Sequence, residues 1–156
     1  MKILVTGSKG FVAGYLIEKL LELGHEVVGV DNLSKYGDIK KSFDNNKKYK
    51  FIEGDAKNTD LLRDLIGDCD HIINLAAMIG GVSFFHDYAF DLMVENDLIN
   101  ISCFKAAIEG FKKGKLKKIT VISTSMIYDK SVNKPAKEGD ELLCPLAGSS
   151  YAFHKL

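Results

Sequence analysis

Tyr151 and Lys155 stand four residues apart, the spacing that stacks two side chains on one face of a helix. A phenol and an ammonium so placed can move a proton. Tyrosine with its ordinary pKa near ~10 is a poor base at neutral pH. An ammonium at ~4 Å, in a medium of effective dielectric ~20, favours the phenolate by roughly 4 kcal/mol, or about 3 pKa units. The phenol is thereby brought toward the pH at which general acid–base exchange works best. Spacing alone selects nothing, because chance supplies about one such pair in a chain this rich in lysine. Three occur: Tyr15/Lys19, Tyr36/Lys40 and Tyr151/Lys155. The first rides the surface of the helix after a glycine-rich turn, and the second lies in a polar connection. Only the third follows an apolar run that closes in Ser123-Thr124-Ser125. Thr124 there offers a hydroxyl able to bridge a substrate alcohol and the phenol. Thr124, Tyr151 and Lys155 are the candidate catalytic residues.

A second chemistry opens the chain. Thr6-Gly7-Ser8-Lys9-Gly10-Phe11-Val12-Ala13-Gly14 lies between a short apolar run and an amphipathic stretch. Gly7 allows a tight turn, Gly10 lets backbone N–H groups approach a pyrophosphate at the positive end of a helix, and Ala13 suits close helix–strand packing. Asp31 follows 24 residues after Gly7. A carboxylate there accepts both hydroxyls of an adenosine ribose and repels a 2′-phosphate, which favours NAD over NADP. Lys35 keeps NADP as the second option. Gly54-Asp55 suits an adenine amino group, and Leu75-Ala76-Ala77 offers small residues against which a dinucleotide can lie.

The elements that must position these groups alternate along the chain. Strands are expected at Lys2–Thr6, Glu26–Val30, Lys50–Glu53, His71–Leu75 and Lys118–Ser123. Helices are expected from Gly10 to Leu23, with Val12, Leu16, Leu20 and Leu23 on the inner face and Gly24 as the stop, and from a cap at Asn58 or Thr59 through Leu65. A long helix spans Phe90 to Phe111, and a last one begins near Ser149. Strand, helix, strand repeated with short apolar strands means a parallel sheet covered on both faces. Right-handed crossovers with one reversal give an α/β, doubly wound, Rossmann-like sheet ordered 3-2-1-4-5, with the ligand at the carboxyl ends of the first and fourth strands.

Composition narrows the partners. The chain has 156 residues, 46% of them apolar, and 21 basic residues balance 21 acidic ones. That balance argues against nucleic acid or an anionic membrane as partner. Lysines 112, 113, 115, 117 and 118 read as a solvated helix end. Cys69, Cys103 and Cys144 are odd in number and widely spaced, so they form neither a disulfide framework nor a metal-ligand cluster. No run reads as a signal peptide or reaches membrane-spanning length. A cytoplasmic protein without a metal is expected.

Together these segments resemble the N-terminal half of the extended short-chain dehydrogenase/reductase family, the NAD-dependent sugar-nucleotide epimerases and dehydratases. The matching pieces are residues 6–13, Asp31-Asn32-Leu33-Ser34, Gly54-Asp55, Leu75-Ala76-Ala77, Ser123-Thr124-Ser125-Met126-Ile127-Tyr128 and residues 149–155. The resemblance implies that Thr124, Tyr151 and Lys155 catalyse. It implies that Gly7, Lys9, Gly10, Phe11, Val12, Asp31, Asn32, Asp55, Ala56, Leu75, Ala76, Ala77 and Asn96, with Tyr151 and Lys155, hold NAD. A nucleotide-sugar substrate and a homodimer built on the long helix are implied likewise. Departures narrow the chemistry. The family's 4,6-dehydratases carry Asp and Glu directly after the catalytic hydroxyl, where Ser125 and Met126 stand here. Met78-Ile79-Gly80-Gly81 resembles GDP-fucose synthase-like 3,5-epimerases, yet those place a cysteine where this chain has Met126. Chemistry needing only hydride and one proton survives: 4-epimerisation, or oxidation and reduction of a sugar hydroxyl.

The family continues past this point with further strands and a substrate domain. The expectation is therefore a single NAD-binding domain, 1–156, incomplete at its C-terminal end, without the substrate domain and inactive by itself. A non-catalytic dinucleotide-binding module or regulator is the alternative.

Overall fold

A computed structural model describes residues 1–128, 130–142, 150–153 and 155, and for Val82, Phe85, His86, Leu142, Ser150 and Tyr151 it describes the backbone alone. The chain divides into two compact units, Met1–Ala77 with Leu98–Val121, and Met78–Asp97 with Ile122–Leu156.

The first unit holds a five-stranded sheet. Its strands are β1 (Lys2–Thr6), β2 (Glu26–Asp31), β3 (Tyr49–Glu53), β4 (His71–Asn74) and β5 (Lys118–Val121). All pairings are parallel and the order is β3-β2-β1-β4-β5, the doubly wound arrangement the sequence implies. Alternation along the strands feeds two cores, one on each face of the sheet. Leu4, Val28, Val30 and Ile72 pack with Leu62 and Ile66 of helix α2 (Thr59–Ile66) and with Ile99, Cys103 and Ala106 of helix α4 (Ala89–Lys112). Ile3, Val5, Val27 and Ile73 pack with Ala13, Ile17 and Leu21 of helix α1 (Phe11–Glu22) and with Phe43 and Tyr49.

The inner face of α1 differs from the expected one. Ala13, Ile17 and Leu21 are buried, whereas Val12 and Leu23 are 60% and 64% exposed. At 3.6 residues per turn, neighbouring positions differ by about 100°, so the apolar series starting at Val12 is rotated off the sheet. Leu16 and Leu20 sit at the border, partly buried. Gly24 does close the helix, at φ +84°. Asn58 caps α2, its side chain accepting from the N–H groups of Asp60 and Leu61 at 3.1 Å each.

The second unit contains helix α3 (Val82–Asp87), the first part of α4, a short 3-10 turn at Ser125–Tyr128, another at Asp140–Leu142, and helix α5 (Ser150–Phe153). No sequence signal had suggested α3. Asp140 organises the loop before the second turn, accepting from Ser131 Oγ at 3.1 Å, Asn133 Nδ2 at 2.9 Å and the Lys137 N–H at 2.9 Å. Cys69 and Cys103 are buried thiols, not joined in a disulfide, and Cys144 lies outside the described residues. Among the described residues no acidic, histidine or cysteine cluster suits a metal, and no helix is long and apolar enough to cross a membrane.

Candidate dinucleotide and proton-transfer sites

The turn between β1 and α1 is built for close approach. Gly7 has φ +68°, and a Cβ there would stand 2.8 Å from the Ala76 nitrogen and 2.9 Å from its Cα. Only glycine meets both conditions. The Gly10 N–H donates to the Gly7 carbonyl at 3.0 Å, closing the turn, and Gly10 caps α1 with no side chain of its own. The first-turn N–H groups of Phe11 and Val12 have no acceptor within the helix. No acidic residue occupies that turn, so the positive end of the helix is left to attract an anion.

Thr6 ties this turn to the tip of β4. Its hydroxyl donates to Asn74 Oδ1 at 2.6 Å and accepts from the N–H groups of Leu75 and Ala76 at 3.2 and 3.1 Å. Asn74 Nδ2 donates in turn to Asn100 Oδ1 at 3.1 Å. Thr6 and Asn74 are fully buried. The reading from residue types missed this pair, although a polar residue in each of two paired apolar strands was the visible signal.

Asp31 ends β2 with its carboxylate oriented by two N–H groups. Oδ2 accepts from Lys9 at 2.9 Å and Oδ1 from Leu33 at 2.8 Å. Each oxygen keeps acceptor capacity, as two neighbouring ribose hydroxyls require. Asn32 reaches Asp55 at 3.4 Å and turns its own carbonyl to Ser34. Asp55 holds the Lys57 N–H at 2.8 Å, and Ala56 is part of the core. The Lys9 ammonium points away from the turn, to Asp44 and the Ile39 carbonyl, each at 3.2 Å.

In the second unit Asn96 is 1% exposed, with Oδ1 accepting from the Met78 N–H at 2.9 Å. Its Nδ2 donates to the carbonyls of Met78 (2.9 Å) and Leu92 (2.8 Å). These bonds shape the Met78 backbone and occupy the side chain. Thr124 Oγ1 accepts from the Met126 N–H at 3.3 Å, and Ser123 Oγ donates to the Lys155 carbonyl at 2.7 Å. The Lys155 backbone is thereby held to the residue before Thr124. The backbone of Tyr151 lies in α5, while its phenol is outside what is described. Of the competing pairs, Tyr15 is 68% exposed, and Lys19 is bound to Glu22 at 2.8 Å, which raises its pKa.

Residues 3–156 match the family described as NAD dependent epimerase/dehydratase. The chain belongs to this family. It is 30% identical to Protein CapI of Staphylococcus aureus, with 99% of the chain covering 46% of that protein. It is also 30% identical to a protein of Bacillus subtilis named as an uncharacterized UDP-glucose epimerase, YtcB, with 100% of the chain covering 49% of the relative. Among solved structures, UDP-glucose 4-epimerase of Thermotoga maritima with UDP-glucose superposes with a TM-score of 0.78 at 26% identity, 99% of the chain covering 48% of that one. The chain spans about half the length of the curated relatives it matches.

The NAD dependent epimerase/dehydratase family needs a dinucleotide site, and the first unit fits one. The missing Cβ at Gly7 lets the turn pack directly against the Ala76 backbone at the tip of β4. Beside it stand the Asp31 carboxylate, with acceptor capacity left on both oxygens, and the start of α1, whose first turn has no acidic side chain.

Proposed function

We propose that this chain is the NAD-binding part of an enzyme that 4-epimerises a nucleotide-activated sugar or oxidises and reduces one of its hydroxyls. The observation that carries the reading is the turn at Gly7, with Asp31 presented beside it, in a member of a family described as NAD dependent. NAD is preferred to NADP because a 2′-phosphate would meet the Asp31 carboxylate. NAD, when bound, supplies the hydride acceptor. Tyr151 takes the proton of the sugar hydroxyl, Lys155 keeps the phenol acidic, and Thr124 orients the hydroxyl. Ser125 and Met126, following Thr124, offer no carboxylic acid to drive loss of water, which favours the two reactions named. The Thermotoga relative was solved with UDP-glucose, so a UDP-hexose is the first substrate class to try.

A homodimer through α4 belongs to the same proposal. Ile101, Phe104, Ile108 and Phe111 are exposed at alternating spacings of three and four, the pattern of helices that interlock. The balanced net charge sets up no repulsion between copies.

Titration calorimetry with NAD and NADP tests the cofactor, with binding of NAD and at least tenfold weaker NADP expected. Tyrosine-selective NMR tests the proton relay. Replacing Lys155 by Met is expected to raise the ionisation pH of Tyr151 by about 2–3 units, and an unchanged titration would refute the assignment.

A further inference from the structure

The polar segment between β2 and β3 does more than connect strands. Lys9 sits inside the glycine turn yet is 3% exposed. Its ammonium lies 3.2 Å from both carboxylate oxygens of Asp44, 3.2 Å from the Ile39 carbonyl and 3.5 Å from Asp38. It also stands 4.7 Å from the centre of the Phe51 ring. Asp44 is fixed in turn by the Lys41 N–H at 2.8 Å. Ser42 Oγ binds Glu18 of α1 at 2.9 Å. Phe43 is buried edge-on against Tyr49, with ring centres 4.9 Å apart.

The same Lys9 gives its backbone N–H to Asp31. One residue therefore joins the expected ribose acceptor, by its main chain, to Asp44, by its side chain. A buried ammonium needs a paired anion, so the position of Asp44 governs that of Lys9. We infer that Asp44 is a positioning residue for the dinucleotide: acting through Lys9, it holds the glycine turn and the Asp31 carboxylate in the geometry that receives the adenosine ribose. This rests on the NAD-binding reading above, and Asp44 itself touches no part of the cofactor.

The decisive variant is Asp44→Asn, which keeps the shape and an acceptor for Lys41 but removes the charge. Lys9→Met is the second variant, since it removes the ammonium while a flexible apolar chain still covers Phe51. Two measurements are made on the whole chain. Amide hydrogen exchange of the ligand-free protein is expected to show faster exchange at Lys9 and Leu33 in both variants. Val5 and Val28, in the centre of the sheet, stay protected. Calorimetry with NAD and with its 2′-deoxyadenosine analogue is expected to show NAD weakened about tenfold in Asp44→Asn, as when one charge-assisted hydrogen bond is lost. The analogue, which lacks a hydroxyl for Asp31, should be weakened much less. A purely structural defect would slow or speed exchange throughout the sheet and weaken both ligands equally, and either result overturns the inference. Unchanged exchange at Lys9 in both variants overturns it as well, whatever the ligands do. A wild-type chain that binds neither ligand removes the NAD-binding reading and this inference together, whereas wild-type binding unaltered in both variants removes this inference alone.

Discussion

At the scale of single residues, the glycine turn between β1 and α1 is decided by absent atoms. A Cβ at Gly7 would collide with the backbone of Ala76 and would also force a side chain to φ +68°. Gly7→Ala is expected to lose about 1–3 kcal/mol of stability by overpacking. NAD affinity should be lost along with it. Denaturant melts and calorimetry check the two effects, and a variant with wild-type melting and binding would show the close approach to be dispensable. Gly7 was legible in the sequence because strand, glycine and helix follow each other within a few residues. Asp31 was legible from its place at the end of the second strand, 24 residues after Gly7. The place of the Lys9 ammonium was not, because its partner Asp44 stands 35 residues away and no local spacing announces a buried pair. The Thr6–Asn74 bond, spanning 68 residues, escaped for the same cause.

At the scale of elements, sequence pattern fixed type and order better than facing. The five strands and the long α4 fall within a few residues of their expected ends, since apolar runs and caps are local signals. The inner face of α1 does not follow from its own residues, because Phe11, Val12 and Tyr15 are as apolar as the residues that turn inward, and only the sheet chooses among them. Helix α3 carries glycines before it and mixed polarity within, so no period marks it. The cap of α2 is a local feature with a measurable weight. Asn58→Ala is expected to cost about 1 kcal/mol of stability, whereas Asn58→Asp should cost little, as read from urea midpoints at neutral pH. The exposed stripe of α4 makes a separate prediction. Ile101→Glu with Ile108→Glu should convert a dimer to a monomer in light scattering without lowering the melting temperature of the dilute protein. A wild-type chain that is monomeric at high concentration would end the dimer proposal.

At the scale of the whole molecule, titrating groups set a pH window. Burial, and then the nearby Lys118, hold the His71 pKa below its ordinary value. A group with a depressed folded pKa gives stability that is full above its unfolded pKa, about 6.5, and falls as pH drops below it. Carboxylates act in the same sense at lower pH. The Lys2 N–H holds Asp70 below the usual range, and the Arg63 guanidinium does so for Glu109. On the alkaline side the sign reverses. Burial pushes the Cys69 thiol up to about 11 and raises the Tyr49 phenol, so the folded state keeps protons that the unfolded chain gives up. Stability should therefore stay level between about pH 6.5 and 9, then fall in both directions. Urea denaturation across pH 5 to 10.5 measures the curve. His71→Gln should flatten its upper acid shoulder, between about pH 6.5 and 5, because the glutamine can still meet Thr120 but has no proton to take up. An acid shoulder unchanged in that variant would place the responsible proton on another group, and the depressed imidazole would then play no part in acid unfolding.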